Sequence, residues 1–339
     1  MTTQNVFKVG ITRDLLTADG TPCFDARALD VLATNPAIQW EWVPEDMPEV
    51  TPEVAARYDA LHVNLPRVTA ASVGRADCRL KIIARNGVGY DSVDVPALSA
   101  KSIVLTNTPI AVRRPVAVAT LTMIFALAGR LLKKNELSHT GRWNDRVSYM
   151  GQGLTTRTLG IVGAGGIGQE ILRLSRPFFK TMLAADPYAD PAAIAALGAD
   201  IVGLDEVMRR SDFVVVCCLL TEQTRDLINR DRFALMKPSA YFINMGRGPI
   251  TDEQALIAAL RSGAIAGAGL DVTSQEPIAP DNPLLGFDTV IITPHALCWT
   301  DECFYEIAAT ALQSIVDVSL GNTPKHVVNT GVLPPRSFG

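Results

Sequence analysis

Leu159-Gly160-Ile161-Val162-Gly163-Ala164-Gly165-Gly166-Ile167-Gly168 is the stretch on which the reading of this chain turns. An apolar, β-branched run passes directly into Gly-x-Gly-x-x-Gly, and Gln169 to Leu174 continues with helical spacing. Alone, such a glycine pattern is weak; between a strand and a helix it marks a dinucleotide-binding turn. Gly163 permits the tight turn, Gly165 lets the backbone approach a pyrophosphate, and Gly168 allows helix and strand to pack closely. Gly166 and Ile167 open the helix whose N-terminus would hold the anion. The next strand, Met182 to Ala185, ends in Asp186, 18 residues after Gly168. A carboxylate there accepts hydrogen bonds from both adenosine ribose hydroxyls and repels a 2′-phosphate, so NAD is expected over NADP.

On both sides of this loop short β-branched runs alternate with helical patterns, the sequence form of βαβ units and mostly parallel sheets. Ahead of it lie Lys8 to Ile11, Ile38 to Val43, Ala60 to Asn64, Lys81 to Ala84 and Ile103 to Thr106. The loop's own strand opens a second series: Thr158 to Val162, Thr181 to Ala185, Phe213 to Cys217, Ala240 to Asn244, Ile265 to Asp271 and Val290 to Thr293. Ile38 to Trp42 alternates apolar and polar residues, which assigns that strand to a sheet edge. Val43 to Glu53 is acidic, carries three prolines and reads as a surface loop. A long apolar-rich helix begins near Pro115 and runs through Ala128 toward Leu137, and a last helix starts at Asp301.

With 339 residues the chain is expected to hold two domains, at roughly 150 residues each. It is long enough to bury around three quarters of its unfolded surface, which excludes a disulfide-stapled miniprotein. Thirty-one basic against 35 acidic residues leave a net charge of −4, so binding to nucleic acid is not expected. Val116 to Gly129 is interrupted by Thr120 and Thr122 and flanked by Arg114 and Arg130. It falls short of the ~20 residues a membrane span needs and reads as a core helix. The first residues show neither a basic region nor an apolar stretch of the secretory kind, and cytoplasm is the expected location. Six cysteines form no Cys-x-x-Cys pair and no metal-ligand spacing with the four histidines, so no metal is expected.

Ligands of open parallel sheets bind outside the carboxyl ends of the strands. Three late strands run there into reactive side chains: Tyr241 to Asn244 leads to Arg247, Gly269 to Val272 to Glu276, and Ile291 to Pro294 to His295. Singly, Arg247 reads equally as a turn residue, Glu276 as a loop acid and His295 as a cap. Jointly, a cation, an acid and a histidine at equivalent positions point to an active site.

At these residues the chain resembles the D-2-hydroxyacid dehydrogenase family. Asn244-Met245-Gly246-Arg247-Gly248-Pro249, Gly269-Leu270-Asp271-Val272 with Glu276-Pro277, and Thr293-Pro294-His295 are similar to its signatures, as are Asn86-Gly87-Val88-Gly89-Tyr90-Asp91 and Thr106-Asn107-Thr108-Pro109. The resemblance implies an α/β protein of two doubly wound parallel-sheet domains, a flavodoxin-like substrate domain and a Rossmann NAD-binding domain, with the active site in the cleft. The substrate domain would be discontinuous, 1–107 and 297–339, and the NAD domain would span 108–296. His295 would be the acid/base that exchanges a proton with the substrate oxygen, Glu276 would pair with the imidazole and hold it protonated for reduction, and Arg247 would bind the carboxylate. The resemblance further implies substrate contacts from the backbone of Val88 and Gly89, and cofactor contacts from Asp271 and Thr221. It also implies a homodimer built on the helix around Val116 to Leu131, whose apolar character agrees equally with core burial.

The early fingerprint of short-chain reductases is excluded by position, and no Tyr-x-x-x-Lys pair occurs. Formate dehydrogenase resembles this fold but pairs a glutamine with the histidine; Glu276 speaks against it. A corepressor-like NAD-sensing protein of the same fold remains the competing class. The family often has an acidic residue after Val-Ala at the start of the long helix, where this chain has Val118; ahead of it stand Arg113 and Arg114, one of which would face the cleft and favour a substrate with a second anionic group, or both are surface charges or phosphate contacts. Trp299 would wall the substrate pocket, or else be buried in the core.

Overall fold

The computed structural model describes residues 6–333. They separate into two compact units: residues up to Val112 with those from Trp299 onward, and Arg113–Cys298. The first unit is therefore made of two chain segments. Its boundaries lie a few residues beyond 107/108 and 296/297: Thr108 N–H donates to Gly87 O at 2.9 Å and keeps the first junction with the first unit, whereas the N–H groups of Ala296 and Leu297 donate to Asp271 Oδ1, both at 3.1 Å, and keep the second junction with the other.

The first unit is built on a five-stranded, all-parallel sheet of β1 (Phe7–Ile11), β2 (Ile38–Trp42), β3 (Ala60–Val63), β4 (Ile82–Arg85) and β5 (Val104–Thr106) in the order β2-β1-β3-β4-β5. This is the flavodoxin-like doubly wound order. The alternating Ile38–Trp42 run is an edge strand, as its pattern predicts. On one face the last helix, Asp301–Ser319, and the turn-rich Ala26–Thr34 bury Phe304, Leu312, Ile315, Ala28 and Leu32 against β1 and β4. On the other, three short helices bury Val54, Val73 and Leu98. The acidic loop before the first of these helices is pinned by buried Val43, Met47 and Val50, so its surface course has an apolar underside.

The second unit carries a seven-stranded parallel sheet: β6 (Thr158–Val162), β7 (Thr181–Ala185), β8 (Asp200–Ile201), β9 (Phe213–Val216), β10 (Tyr241–Asn244), β11 (Gly267–Leu270) and β12 (Val290–Ile292), ordered β12-β11-β10-β9-β6-β7-β8. Reversal at β6/β9 gives the Rossmann order with one added strand. The two-residue β8 is absent from the strands expected from sequence, since Asp200-Ile201 is too short to show a period. Strands such as Phe213–Val216 are buried at every position because helices cover both faces. The long apolar helix spans Arg113–Gly129 and seats Met123 and Leu127 on β11, where a Cβ on Gly269 would meet Met123 Cγ at 2.4 Å. Rather than running on to Leu137, it breaks at Arg130, which adopts the left-handed φ of 51°, and a second helix, Leu131–His139, departs at 58°. Among the described residues no single helix is long and apolar enough to cross a membrane.

Candidate active site

The carboxyl ends of β10, β11 and β12 are adjacent in the sheet, so the loops that follow them deliver Arg247, Glu276 and His295 to one edge of the second unit. The structure brings the three together. His295 Nδ1 and Glu276 Oε2 are 2.8 Å apart, with the side chains 42 % and 40 % exposed. An ionised carboxylate can only accept, so the proton of that bond sits on Nδ1. Nε2 is left without a hydrogen bond to any described residue and open to a ligand. His295 itself takes a left-handed φ of 55°, and its N–H donates to Thr293 O at 2.9 Å, turning the chain out of the strand.

Burial pushes the Glu276 carboxyl up, but the His295 hydrogen bond, its charge, the Thr273 N–H and the Arg247 charge outweigh it, and the pKa ends below the usual carboxylate value. Glu276 is thus ionised at neutral pH. Its Oε1 accepts from Thr273 N–H at 3.1 Å, which fixes the carboxylate plane. Arg247 is positioned by Asn244, whose Nδ2 donates to Arg247 O at 2.9 Å and whose Oδ1 accepts from Gly246 N–H at 3.0 Å. The Arg247 guanidinium donates to Gly246 O at 2.8 Å. Gly248 is required by space: a Cβ would lie 1.9 Å from Thr273 O. Asn244 was not singled out in the sequence; its signal is an Asn at a strand end before Gly-x-Gly.

Asp271, expected at the cofactor, is buried, and its Oδ1 accepts from Thr293 Oγ1 at 2.6 Å and from the N–H groups of Ala296 and Leu297, both at 3.1 Å. It brackets the segment that carries His295. Thr221 lies in an exposed turn closed by its own N–H on Thr224 Oγ1 at 2.7 Å.

The glycine loop has the properties a dinucleotide needs. Gly163 adopts φ +95°, where a Cβ would strike Cys218 N at 2.6 Å, and a Cβ on Gly168 would lie 2.1 Å from Gly163 O. At Gly165 the space is open: a Cβ meets nothing within 4 Å. Gly165 caps the helix Gly166–Ser175 without any side-chain acceptor, so the first N–H groups, those of Gly166 and Ile167 among them, are left for an external anion. Asp186 Oδ2 accepts from Ala164 N–H at 2.7 Å and Oδ1 from Tyr188 N–H at 2.8 Å. Those bonds orient the carboxylate at the end of β7, and each oxygen retains a lone pair for a ribose hydroxyl. The residues present fit the adenosine and pyrophosphate of NAD.

In the first unit the loop after β4 is held from behind. Buried His62 Nε2 donates to Asn86 Oδ1 at 3.1 Å, Asn86 Nδ2 donates to Asn64 Oδ1 at 3.2 Å, and Arg85 Nη1 donates to Asn86 O. Gly87 follows at φ +106°, and Asn107 Nδ2 donates to Val88 O at 2.8 Å. The N–H groups of Val88 and Gly89 make no hydrogen bond to any described residue. His62 escaped the sequence reading because a lone His inside an apolar strand looks like any core residue, and Asn86, quoted there within a family motif, showed no sign of its bonds to His62 and Asn64. Trp299 is 54 % exposed and rests on Phe304, ring centroids 4.8 Å apart, so it is not a core residue. Arg113 and Arg114 both belong to the second unit, where Arg114 pairs with Glu170 at 2.8 Å.

Residues 121–296 match the model of the D-isomer specific 2-hydroxyacid dehydrogenase NAD binding domain. A glyoxylate reductase of Thermococcus onnurineus is 35% identical over 306 residues, 88% of this chain and 91% of that protein. Glyoxylate/hydroxypyruvate reductase B of Klebsiella pneumoniae is 36% identical over 283 residues, 83% of this chain and 87% of that protein. Among solved structures, a glyoxylate reductase from Paecilomyes thermophila matches with a TM-score of 0.83 at 25% identity, covering 96% of this chain and 99% of that one. The chain belongs to the D-isomer specific 2-hydroxyacid dehydrogenase family, and its second unit is that family's NAD-binding domain.

Proposed function

We propose that this chain is an NAD-dependent reductase of a small 2-oxo acid, yielding the (R)-2-hydroxy acid, with His295 and Glu276 as the acid/base pair and Arg247 as the carboxylate ligand. The observation that carries the reading is the 2.8 Å His295–Glu276 bond beside Arg247 at three neighbouring strand ends. NAD(H), bound at the glycine loop, supplies or accepts the hydride. His295 Nε2, the ring nitrogen left free, gives a proton to the substrate carbonyl oxygen in reduction and takes it back from the hydroxyl in oxidation. Glu276 fixes the tautomer and balances the imidazolium. Arg247 offers a planar fork suited to two carboxylate oxygens. On the first unit, the unbonded N–H groups of Val88 and Gly89 are donors suited to a substrate carboxylate, and the exposed Trp299 ring offers an apolar surface to its side chain. Asp186 favours NAD over NADP, and Thr221 and Asp271 border the nicotinamide.

Named relatives act on glyoxylate and hydroxypyruvate, which puts small 2-oxo acids first among candidate substrates. A screen of NADH oxidation over glyoxylate, hydroxypyruvate, pyruvate, phenylpyruvate, 2-oxoglutarate and phosphohydroxypyruvate is expected to find turnover that His295→Ala abolishes. No turnover on any of them, with tight NADH binding retained, favours an NAD-sensing binding protein instead. We further propose a homodimer: Phe125, Leu131, Leu132, Trp143, Val147 and Met150 are large apolar side chains exposed on the second unit, more than single scattered residues explain. A monomer mass by light scattering counts against it.

A further inference from the structure

Arg113 is the first residue of the helix Arg113–Gly129, beside the helix Gly166–Ser175 that the glycine loop starts. Its guanidinium lies across the first turn of that helix: a Cβ on Gly166 would be 2.5 Å from Arg113 Nε, 2.9 Å from Cζ and 3.1 Å from Nη2. Glycine at 166 is what allows the side chain to lie there. Arg114, next in sequence, points to Glu170, which also holds Arg173, so its charge is balanced within the protein. Arg113 has no such counter-charge, making no ion pair or hydrogen bond with any described residue.

A cation at a helix N-terminus is electrostatically unfavourable, because the N–H groups there already present positive partial charge. The arrangement is compensated only when an anion sits against both. Gly165 leaves that space open, as no atom lies within 4 Å of where its Cβ would be.

We propose that Arg113 is a pyrophosphate-binding residue of the NAD site, a side-chain complement to the backbone N–H groups of Gly166 and Ile167. The inference rests on NAD binding at the glycine loop and adds a residue that no glycine fingerprint contains. It replaces the expectation that Arg113 selects a substrate with a second anionic group.

The test is calorimetric titration of the full chain with ADP-ribose, which carries the pyrophosphate and lacks the nicotinamide, in wild type, Arg113→Ala, Arg113→Lys and Arg114→Ala. Arg113→Ala is expected to weaken binding about 10- to 100-fold, the range of one or two charge-assisted hydrogen bonds. Arg113→Lys should recover part of the loss, keeping the charge without the fork. Arg114→Ala should stay within about twofold, its charge being held by Glu170 rather than by a ligand. The deficit of Arg113→Ala should shrink as sodium chloride is raised, while thermal unfolding of the ligand-free variant matches wild type. ADP-ribose bound equally well by wild type and Arg113→Ala overturns the proposal. So does a variant with intact ADP-ribose affinity whose kcat/KM falls only for dicarboxylic or phosphorylated 2-oxo acids, since Arg113 would then serve the substrate. Failure of wild type itself to bind ADP-ribose would count against the glycine-loop site, a result separate from any ratio between variants.

Discussion

Two histidines stand near the carboxyl ends of the two sheets and are treated in opposite ways. His62, in β3 of the first unit, is wholly buried; Nε2 donates to Asn86 and Nδ1 has no partner. Burial first, against the pull of the Asn86 bond and Asp14, lowers its pKa to about 4, so it is neutral. His295, beyond β12 of the second unit, is half exposed, bonded to an ionised carboxylate, and keeps Nε2 free. The same side chain is a fixed donor in one setting and, in the function proposed above, a proton carrier in the other. Surroundings decide the role: a buried ring with one satisfied nitrogen braces a loop, whereas an accessible ring with an anionic partner can exchange protons.

The largest expected effect breaks this contrast if it fails. His295→Ala should lower kcat for a 2-oxo acid by about 10²- to 10⁴-fold, the usual share of a general acid. Glu276→Gln should cost less, and adding it to His295→Ala should cost little more, because the two act as a unit. His62→Asn should leave kcat within about tenfold while reducing stability, since its ring touches no reacting atom. Steady-state kinetics of the four proteins decide the matter; a His62 variant as damaged in kcat as His295→Ala would erase the distinction.

A second effect separates the histidines by pH. A histidine whose folded pKa lies below its unfolded value is less protonated in the folded state, so the unfolded chain binds more protons in between. Stability from His62 is therefore fully present above its unfolded value of 6.5 and falls as pH drops toward about 4. Two and a half units at ~1.36 kcal/mol each amount to about 3 kcal/mol. Glu276, also depressed, acts in a lower window: its contribution is present above its unfolded value of 4.5 and is lost as pH falls through the folded one. Urea unfolding at neutral pH and at about pH 4.5 should reveal the His62 loss. In His62→Gln the slope across that interval should flatten; an unchanged slope would mean His62 is not the group responsible.

The same contrast explains what the sequence makes legible. Gly163 to Gly168 and Asp186 sit at forced spacings because a backbone turn and a carboxylate must meet one dinucleotide, and Arg247, Glu276 and His295 each lie in the loop that follows an apolar strand. Such features are periodic or local, and so are eleven of the twelve strands. The two-residue β8 has no period to detect. The break at Arg130 carries a positive φ that no residue pattern announces. His62 and Asn86 are 24 residues apart, and only pairing of β3 with β4 brings them together. Arg113 was recognisable as unusual but not as lying on Gly166, because that contact depends on how two helices pack.

The smallest effect tests whether the loop glycines of the two units are needed for the same reason. Gly168 has an ordinary backbone, but an added Cβ would be 2.1 Å from Gly163 O and 3.2 Å from Ile161 Cγ2. Neither a carbonyl in a tight turn nor a core strand residue can withdraw, so Gly168→Ala should cost about 1–3 kcal/mol, as overpacking does. Prising the helix from the strand should weaken NADH binding in parallel. Gly87 is the reverse case, with nothing within 4 Å of a Cβ but a φ of +106°. Gly87→Ala should cost about 1 kcal/mol, from backbone conformation alone. Side-chain size then discriminates: Gly168→Leu should be clearly worse than Gly168→Ala, while Gly87→Leu and Gly87→Ala should unfold at nearly the same denaturant concentration. Equal size dependence at the two positions would show that steric packing governs both loops, and the conformational account of Gly87 would fall.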